Sequence, residues 1–63
     1  MSDFKTRMIA EHNELVVRSN KLKDFLWGDG FNSLSAKNRE LLIEQLGIML
    51  AYQRVLSERI GHS

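Results

Sequence analysis

The residues best suited to chemistry are four charged side chains near the amino end of the sequence. Arg7 and Glu11 lie four residues apart, and so do Glu14 and Arg18, which places each pair on adjacent turns of one helix face. Carboxylates that share a helix face with arginines pair with them more readily than they form the opposed acid and base of a hydrolase. The spacing favours a ladder of ion pairs on a partly solvated face, and the alternative is a register device at a helical seam.

The sequence lacks the other common catalytic and metal-binding patterns. It contains no cysteine, and His12 and His62 are too far apart to make the i, i+4 pair that holds zinc on a helix. The segment Gly28-Asp29-Gly30 is shorter than a loop that cradles phosphate, and no nucleophile stands in a recognisable motif. We therefore expect no enzymatic activity, no cofactor and no metal site.

Two long helices are expected to position the charged residues. The sequence has no proline, and only segment 27–31, Trp-Gly-Asp-Gly-Phe, carries a turn signal strong enough to reverse the chain. Ser35 is the expected N-cap of the second helix, and Ser2 or Asp3 that of the first. The predicted bounds are helix 1 at about 3–27, a turn at 28–34 and helix 2 at about 36–60. The expected fold class is all-α, with residues 1–63 forming one antiparallel two-helix hairpin.

Each predicted helix carries more than one apolar stripe. The hairpin seam is expected at Phe4, Met8, Leu15, Leu22 and Leu26 of helix 1 and at Leu42, Leu46, Met49, Leu56 and Ile60 of helix 2. Further stripes comprise Ile9, Val16 and Trp27 on helix 1 and Leu41, Ile48, Tyr52 and Val55 on helix 2. One antiparallel neighbour covers one stripe, so a second neighbour is required.

A second copy of the chain is the simplest neighbour, because two hairpins form a four-helix bundle. The predicted homodimer interface consists of Leu41, Ile48, Tyr52, Val55, Ile9 and Val16. The alternative is a monomeric hairpin whose second stripe is covered by a partner protein. Trp27 and Phe31 flank the glycine turn, and with Arg7 and Arg18 they form a candidate partner-binding set. Trp27 and Phe31 are otherwise expected to plug the open end of the bundle.

The overall composition excludes several classes of partner. The net charge of the 63 residues is +1, far from the concentrated positive field that nucleic-acid backbones select for. No window approaches the apolar length of a membrane span or of a signal peptide. We therefore expect a protein-binding module with no nucleic-acid and no membrane partner.

Five spaced motifs carry a resemblance that covers nearly the whole chain. They are Phe4-x-x-Arg7-x-Ile9-x-Glu11-x-x-Glu14-Leu15, Lys21-Leu22-x-x-Phe25-Leu26, Phe31-x-Ser33-Leu34, Leu41-Leu42-x-x-Gln45-Leu46-x-x-Met49-x-x-Tyr52 and Leu56-x-x-Arg59-Ile60. With these motifs the chain resembles a group of short bacteriophage helical-hairpin proteins of mostly unknown function. It is also similar in size and layout to the phage quorum-sensing anti-activator, a helical-hairpin dimer. Asn38 departs from the pattern, because these relatives often carry an acid there.

The resemblance implies a phage-encoded protein in the cytoplasm of the infected bacterial host. The similarity to the anti-activator further implies that the protein binds and inhibits a host protein, such as a transcriptional regulator of quorum sensing, a pilus-assembly ATPase or a defence component. Our preferred hypothesis is therefore a stoichiometric inhibitor of a host protein. The alternatives are an oligomeric sponge that holds a signalling nucleotide near Arg7, Arg18 or Lys21, and a structural component of the phage.

Overall fold

A computed structural model describes residues 3–63 of the chain, which form three helices. They are α1 (Asp3–Leu26), α2 (Asp29–Asn32) and α3 (Ala36–Gly61). This part of the chain contains no strand, so the expected all-α fold class is confirmed. Asp3 lies in the first turn of α1, where its carboxylate faces the positive end of the helix dipole. Asp3 is thus a residue of the helix and not its N-cap, which was one of the two predictions; Ser2, the other, lies outside the described residues.

The chain reverses at the predicted turn, but the connection contains a short helix. It contains the single helical turn α2, in which the amide of Phe31 donates to the carbonyl of Gly28 and the amide of Leu34 to that of Phe31. The Ser33 hydroxyl donates to the Gly30 carbonyl at 2.7 Å. These local bonds satisfy the backbone groups of the reversal, so a short helix forms where the composition indicated only a turn.

The predicted cap of the second long helix is present. Ser35 has an extended backbone, and its side-chain oxygen accepts a hydrogen bond from the Asn38 amide at 3.2 Å. This bond satisfies one of the amides that the first turn of a helix leaves without a partner. The Ser35 cap, a local feature of residues 35–38, therefore sets the start of α3.

The two long helices pack antiparallel into a rod that measures 48 × 15 × 13 Å. Its core is thin, because Met8 and Leu56 are its only buried apolar residues within 3–63, and Ser19 is buried beside them. The other seam residues are half-buried, apart from Phe4, which lies at the open end of the hairpin and is 57% exposed. Within residues 3–63 no helix combines the length and apolar composition that crossing a bilayer requires.

The rod exposes more surface than its mass requires. Its accessible surface is 4849 Å², whereas a compact protein of 7.3 kDa exposes about 4,200 Å². The difference of about 700 Å² is close to the roughly 800 Å² that each partner contributes to a standard protein interface. The excess follows from the elongated shape of a two-helix rod, in which few side chains are fully covered.

Candidate functional site

An open cleft lies where the first turns of α1 meet the last turns of α3. It has a volume of about 240 Å³ and is lined by Phe4, Arg7, Met8, Glu11 and Arg59. The four residues from α1 follow the spacing i, i+3, i+4 and i+7, which places them on one helix face. Because α3 runs antiparallel to α1, its last turns bring Arg59 to the same end of the rod.

The cleft combines an aromatic ring with two guanidinium groups. The Cζ atom of Arg59 lies 5.9 Å from the centroid of the Phe4 ring, within the range of a cation–π contact. Within residues 3–63 neither Arg7 nor Arg59 forms an ion pair, so the N–H groups of both remain free to donate to an anion. An exposed ring beside unpaired guanidiniums suits a ligand that has both a flat aromatic part and negative charge.

Glu11, which lines the cleft, takes part in a hydrogen bond between the two helices. The Tyr52 hydroxyl donates to the Glu11 carboxylate, and this bond raises the pKa of Tyr52, with smaller contributions from desolvation and from the charge of Glu11. The nearby Arg59 charge opposes the rise. Tyr52 therefore remains a protonated donor at neutral pH, and Glu11 is directed towards α3.

The predicted ladder of charges forms only in part. Arg18 and Glu14 make an ion pair of 2.5 Å on an exposed face of α1. The other expected rung is missing, since Glu11 accepts from Tyr52 and Arg7 has no acidic partner within residues 3–63. A tertiary contact has displaced a local one, which leaves Arg7 available to the cleft.

The residues of the predicted dimer interface lie on two sides of the hairpin. We call the stripe formed by Leu41, Ile48, Tyr52 and Val55 the Tyr52 face; its side chains are 40–64% exposed. The bond from Tyr52 shows that this face adjoins the Glu11 side of α1. Ile9 is about 200° round the helix from Glu11, so it and the half-buried Val16 lie on the opposite side, which also carries Ile43 and Leu50.

The four predicted partner-binding residues are also separated. Trp27 is 91% exposed at the hairpin tip, and Phe31 is half-buried in α2 beside it. Arg18 lies near the middle of α1, paired with Glu14, and Arg7 lies in the cleft at the far end of the rod. Trp27 therefore does not plug the end of a single hairpin, and these side chains do not form one patch.

Sequence reasoning did not assign a role to Arg59 or Phe4 in a site. Their meeting depends on the register of the hairpin, which no local pattern states. Two facts in the sequence pointed to it. Residues 4, 7, 8 and 11 share one helix face, and an antiparallel hairpin places the end of the second helix beside the start of the first helix. Among residues 3–63 there is no cluster of three or more histidine or acidic side chains arranged to hold a metal ion.

Comparison with known proteins identifies the group to which the chain belongs. Residues 2–62 match the model of a family described as Sequestin. An uncharacterized 7.5 kDa protein from the denB-rIIB intergenic region of Enterobacteria phage T4 is 33% identical over 61 residues, which are 97% of this chain and 95% of the T4 protein. No solved structure matches the chain. The match to the family model spans almost every residue, and the chain therefore belongs to the Sequestin family of short phage proteins.

Proposed function

We propose that the protein is a phage-encoded sequestering protein that removes a host molecule by stoichiometric binding, without catalysis, in the cytoplasm of the infected bacterium. The family description suggests capture of a ligand, and the T4 relative supports a phage origin. Glu11, the one carboxylate that lines the cleft, accepts a hydrogen bond from Tyr52 on α3. The other polar or aromatic groups that line it are the guanidiniums of Arg7 and Arg59 and the ring of Phe4, which suit the binding of anions and flat rings.

The ligand that this cleft suits best is a signalling nucleotide. The observation that carries this choice is one cleft that holds the Phe4 ring, the Arg59 guanidinium over it and the Arg7 guanidinium, neither arginine forming an ion pair within residues 3–63. A nucleotide offers a flat base to the ring and phosphate oxygens to the arginines, which bind phosphate with two parallel hydrogen bonds. This choice adopts the sponge hypothesis in preference to the inhibitor of a host protein.

A second copy of the chain is the proposed cover for the Tyr52 face. The face carries four large apolar or aromatic side chains that are 40–64% exposed, and Ile48, at its centre, is the most exposed of them at 64%. Arg59 follows Val55 by one helical turn, so the cleft continues the same face of α3. A copy docked there would border the cleft, which at about 240 Å³ is smaller than the roughly 300–1,000 Å³ typical of a complete ligand pocket.

Isothermal titration calorimetry with purified protein tests the ligand. Cyclic dinucleotides are the first probes, with the corresponding mononucleotides as comparison ligands. We expect Arg59→Ala to weaken binding by about tenfold to a hundredfold, because it removes charge-assisted hydrogen bonds. Arg54→Ala is the matched control, since Arg54 is on the same helix but pairs with Glu58 outside the cleft.

Two outcomes would contradict the proposed ligand. One is the absence of heat with every nucleotide at protein concentrations of about 100 µM, where even weak binding is measurable. The other is equal affinity of the Arg59→Ala and Arg54→Ala proteins, since binding would then not involve the cleft.

A host protein is the second candidate partner, and the exposed Trp27 favours it. Tryptophan is enriched among the residues that dominate binding energy in interfaces, and this one is 91% exposed. The similarity to the phage quorum-sensing anti-activator stays a prediction, with a transcriptional regulator, a pilus-assembly ATPase or a defence component as targets. Capture of one host protein by the parent chain but not by Trp27→Ala would support this candidate. Detection of the protein in purified virions by mass spectrometry would instead support a structural role in the phage particle.

A further inference from the structure

Besides the exposed Tyr52–Glu11 bond, a second polar pair joins the two long helices, and it lies inside their apolar seam. Ser19 is 1% exposed, and its Oγ accepts a hydrogen bond of 2.6 Å from the Nε2 atom of Gln53 on α3. The same hydroxyl donates to the Val16 carbonyl, one turn earlier in α1, at 3.1 Å. Within residues 3–63, Ser19 is the only buried polar residue. The hydroxyl therefore donates one hydrogen bond within α1 and accepts one across the seam.

The apolar residues of the seam do not by themselves define how far α3 slides along α1. On α3 they recur at every turn but one, with side chains of similar size, at Leu42, Leu46, Met49, Leu56 and Ile60. A shift by one turn exchanges one of these side chains for another, which changes the packed volume little. Gln53 is the one polar member of this row, so a shifted register would hold its amide against apolar side chains, without the Ser19 hydroxyl.

We infer that the Ser19–Gln53 pair fixes the register of the hairpin and thereby places Arg59 against Phe4. Single buried polar residues specify register in other helical assemblies for the same reason. A slip of one turn moves α3 by about 5.4 Å along α1, nearly as far as the 5.9 Å between Arg59 and the Phe4 ring. The cleft would be lost. The consequence for nucleotide capture rests on the proposed function, whereas the register itself does not.

Distance measurement between two spin labels tests the register directly. The chain has no cysteine, so Asn13→Cys and Lys37→Cys give two unique labelling sites, both on exposed positions of the long helices. Labelled protein is diluted with unlabelled chain, so that distances within one hairpin dominate, and no nucleotide is added. The test variant is Gln53→Met, which keeps the length of the side chain and removes the amide. Gln45→Met is the matched control, because Gln45 is exposed on the same helix.

We expect one distance for the parent and for Gln45→Met, and a second population displaced by about 5 Å for Gln53→Met. If half of the Gln53→Met molecules are slipped, their apparent nucleotide affinity falls twofold, because only the native register binds. A single unshifted distance for Gln53→Met would overturn the inference. Loss of its helical circular-dichroism signal would overturn it as well, since the amide would then be needed for folding and not for choosing between two folded registers. If the parent protein binds no nucleotide while Gln53→Met shows the second distance population, the proposed ligand is contradicted and the inference about the register stands.

Discussion

The substitution Ile48→Ala tests the proposed self-association most directly. Ile48 lies at the centre of the Tyr52 face and is 64% exposed in the single hairpin. Alanine keeps the helical backbone and has a higher helix propensity than isoleucine. The change therefore removes apolar surface from the proposed interface and disturbs the helix little.

The size of the effect follows from the carbon atoms removed. Replacing isoleucine by alanine deletes three carbons, and each buried carbon contributes about 0.8 kcal/mol. About two-thirds of that total, roughly 1.5 kcal/mol, is gained only when a second copy covers the side chain. A symmetric dimer contains the residue twice, so its dissociation free energy falls by about 3 kcal/mol and its Kd rises about a hundredfold. The remaining third, less than about 1 kcal/mol, is lost from the hairpin itself.

Sedimentation equilibrium over a range of protein concentrations measures this Kd. Ile43→Ala is the matched control, because Ile43 is 57% exposed but lies on the opposite side of the hairpin, and we expect its Kd to stay within about threefold of the parent's. Equal weakening by both substitutions would show that the Tyr52 face is not the specific interface. A parent chain that sediments as a monomer at high micromolar concentration would refute the proposed self-association altogether.

The remaining predictions concern individual contacts within the hairpin. The pKa of Tyr52 is raised by its bond to Glu11, so the stability from this bond is present below the ordinary tyrosine pKa of about 10 and is lost as the pH rises through the raised value. Tyr52 is the only tyrosine, and its absorbance at 295 nm should therefore titrate at lower pH in Glu11→Gln than in the parent; an unchanged midpoint would exclude the bond in solution. Ser35→Ala removes the cap of α3 and should cost about 1 kcal/mol, or about 4–8 °C in Tm at fixed protein concentration; no change in Tm would show that the cap is not formed. Glu58→Gln breaks an ion pair whose side chains are more than 60% exposed, and urea unfolding should change by no more than about 0.5 kcal/mol; a larger loss would mean that another chain buries this pair.

Several features could be predicted from the sequence because they depend on neighbours along the chain. The absence of proline permits long helices, the glycine pair marks the reversal, and Ser35 marks the start of α3 with a hydrogen bond that spans three residues. Helical periodicity also predicted the seam, since an apolar stripe must be covered wherever it points. The phage relationship rests on the same linear motifs and is confirmed by the match over residues 2–62.

The tertiary structure alone determined which helix faces meet. Periodicity places Ile9 and Ile48 each on a flank of its own helix, but the antiparallel packing puts these two flanks on opposite sides of the rod. The pairing of Glu11 with Tyr52 instead of Arg7, and the contact of Arg59 with Phe4, join residues 41 and 55 positions apart. Such contacts depend on the axial register of the two helices and on which of their faces pack together. That geometry depends on side chains far apart in the chain, among them Ser19 and Gln53, whose hydrogen bond we infer sets the register, so no single segment of the sequence specifies it.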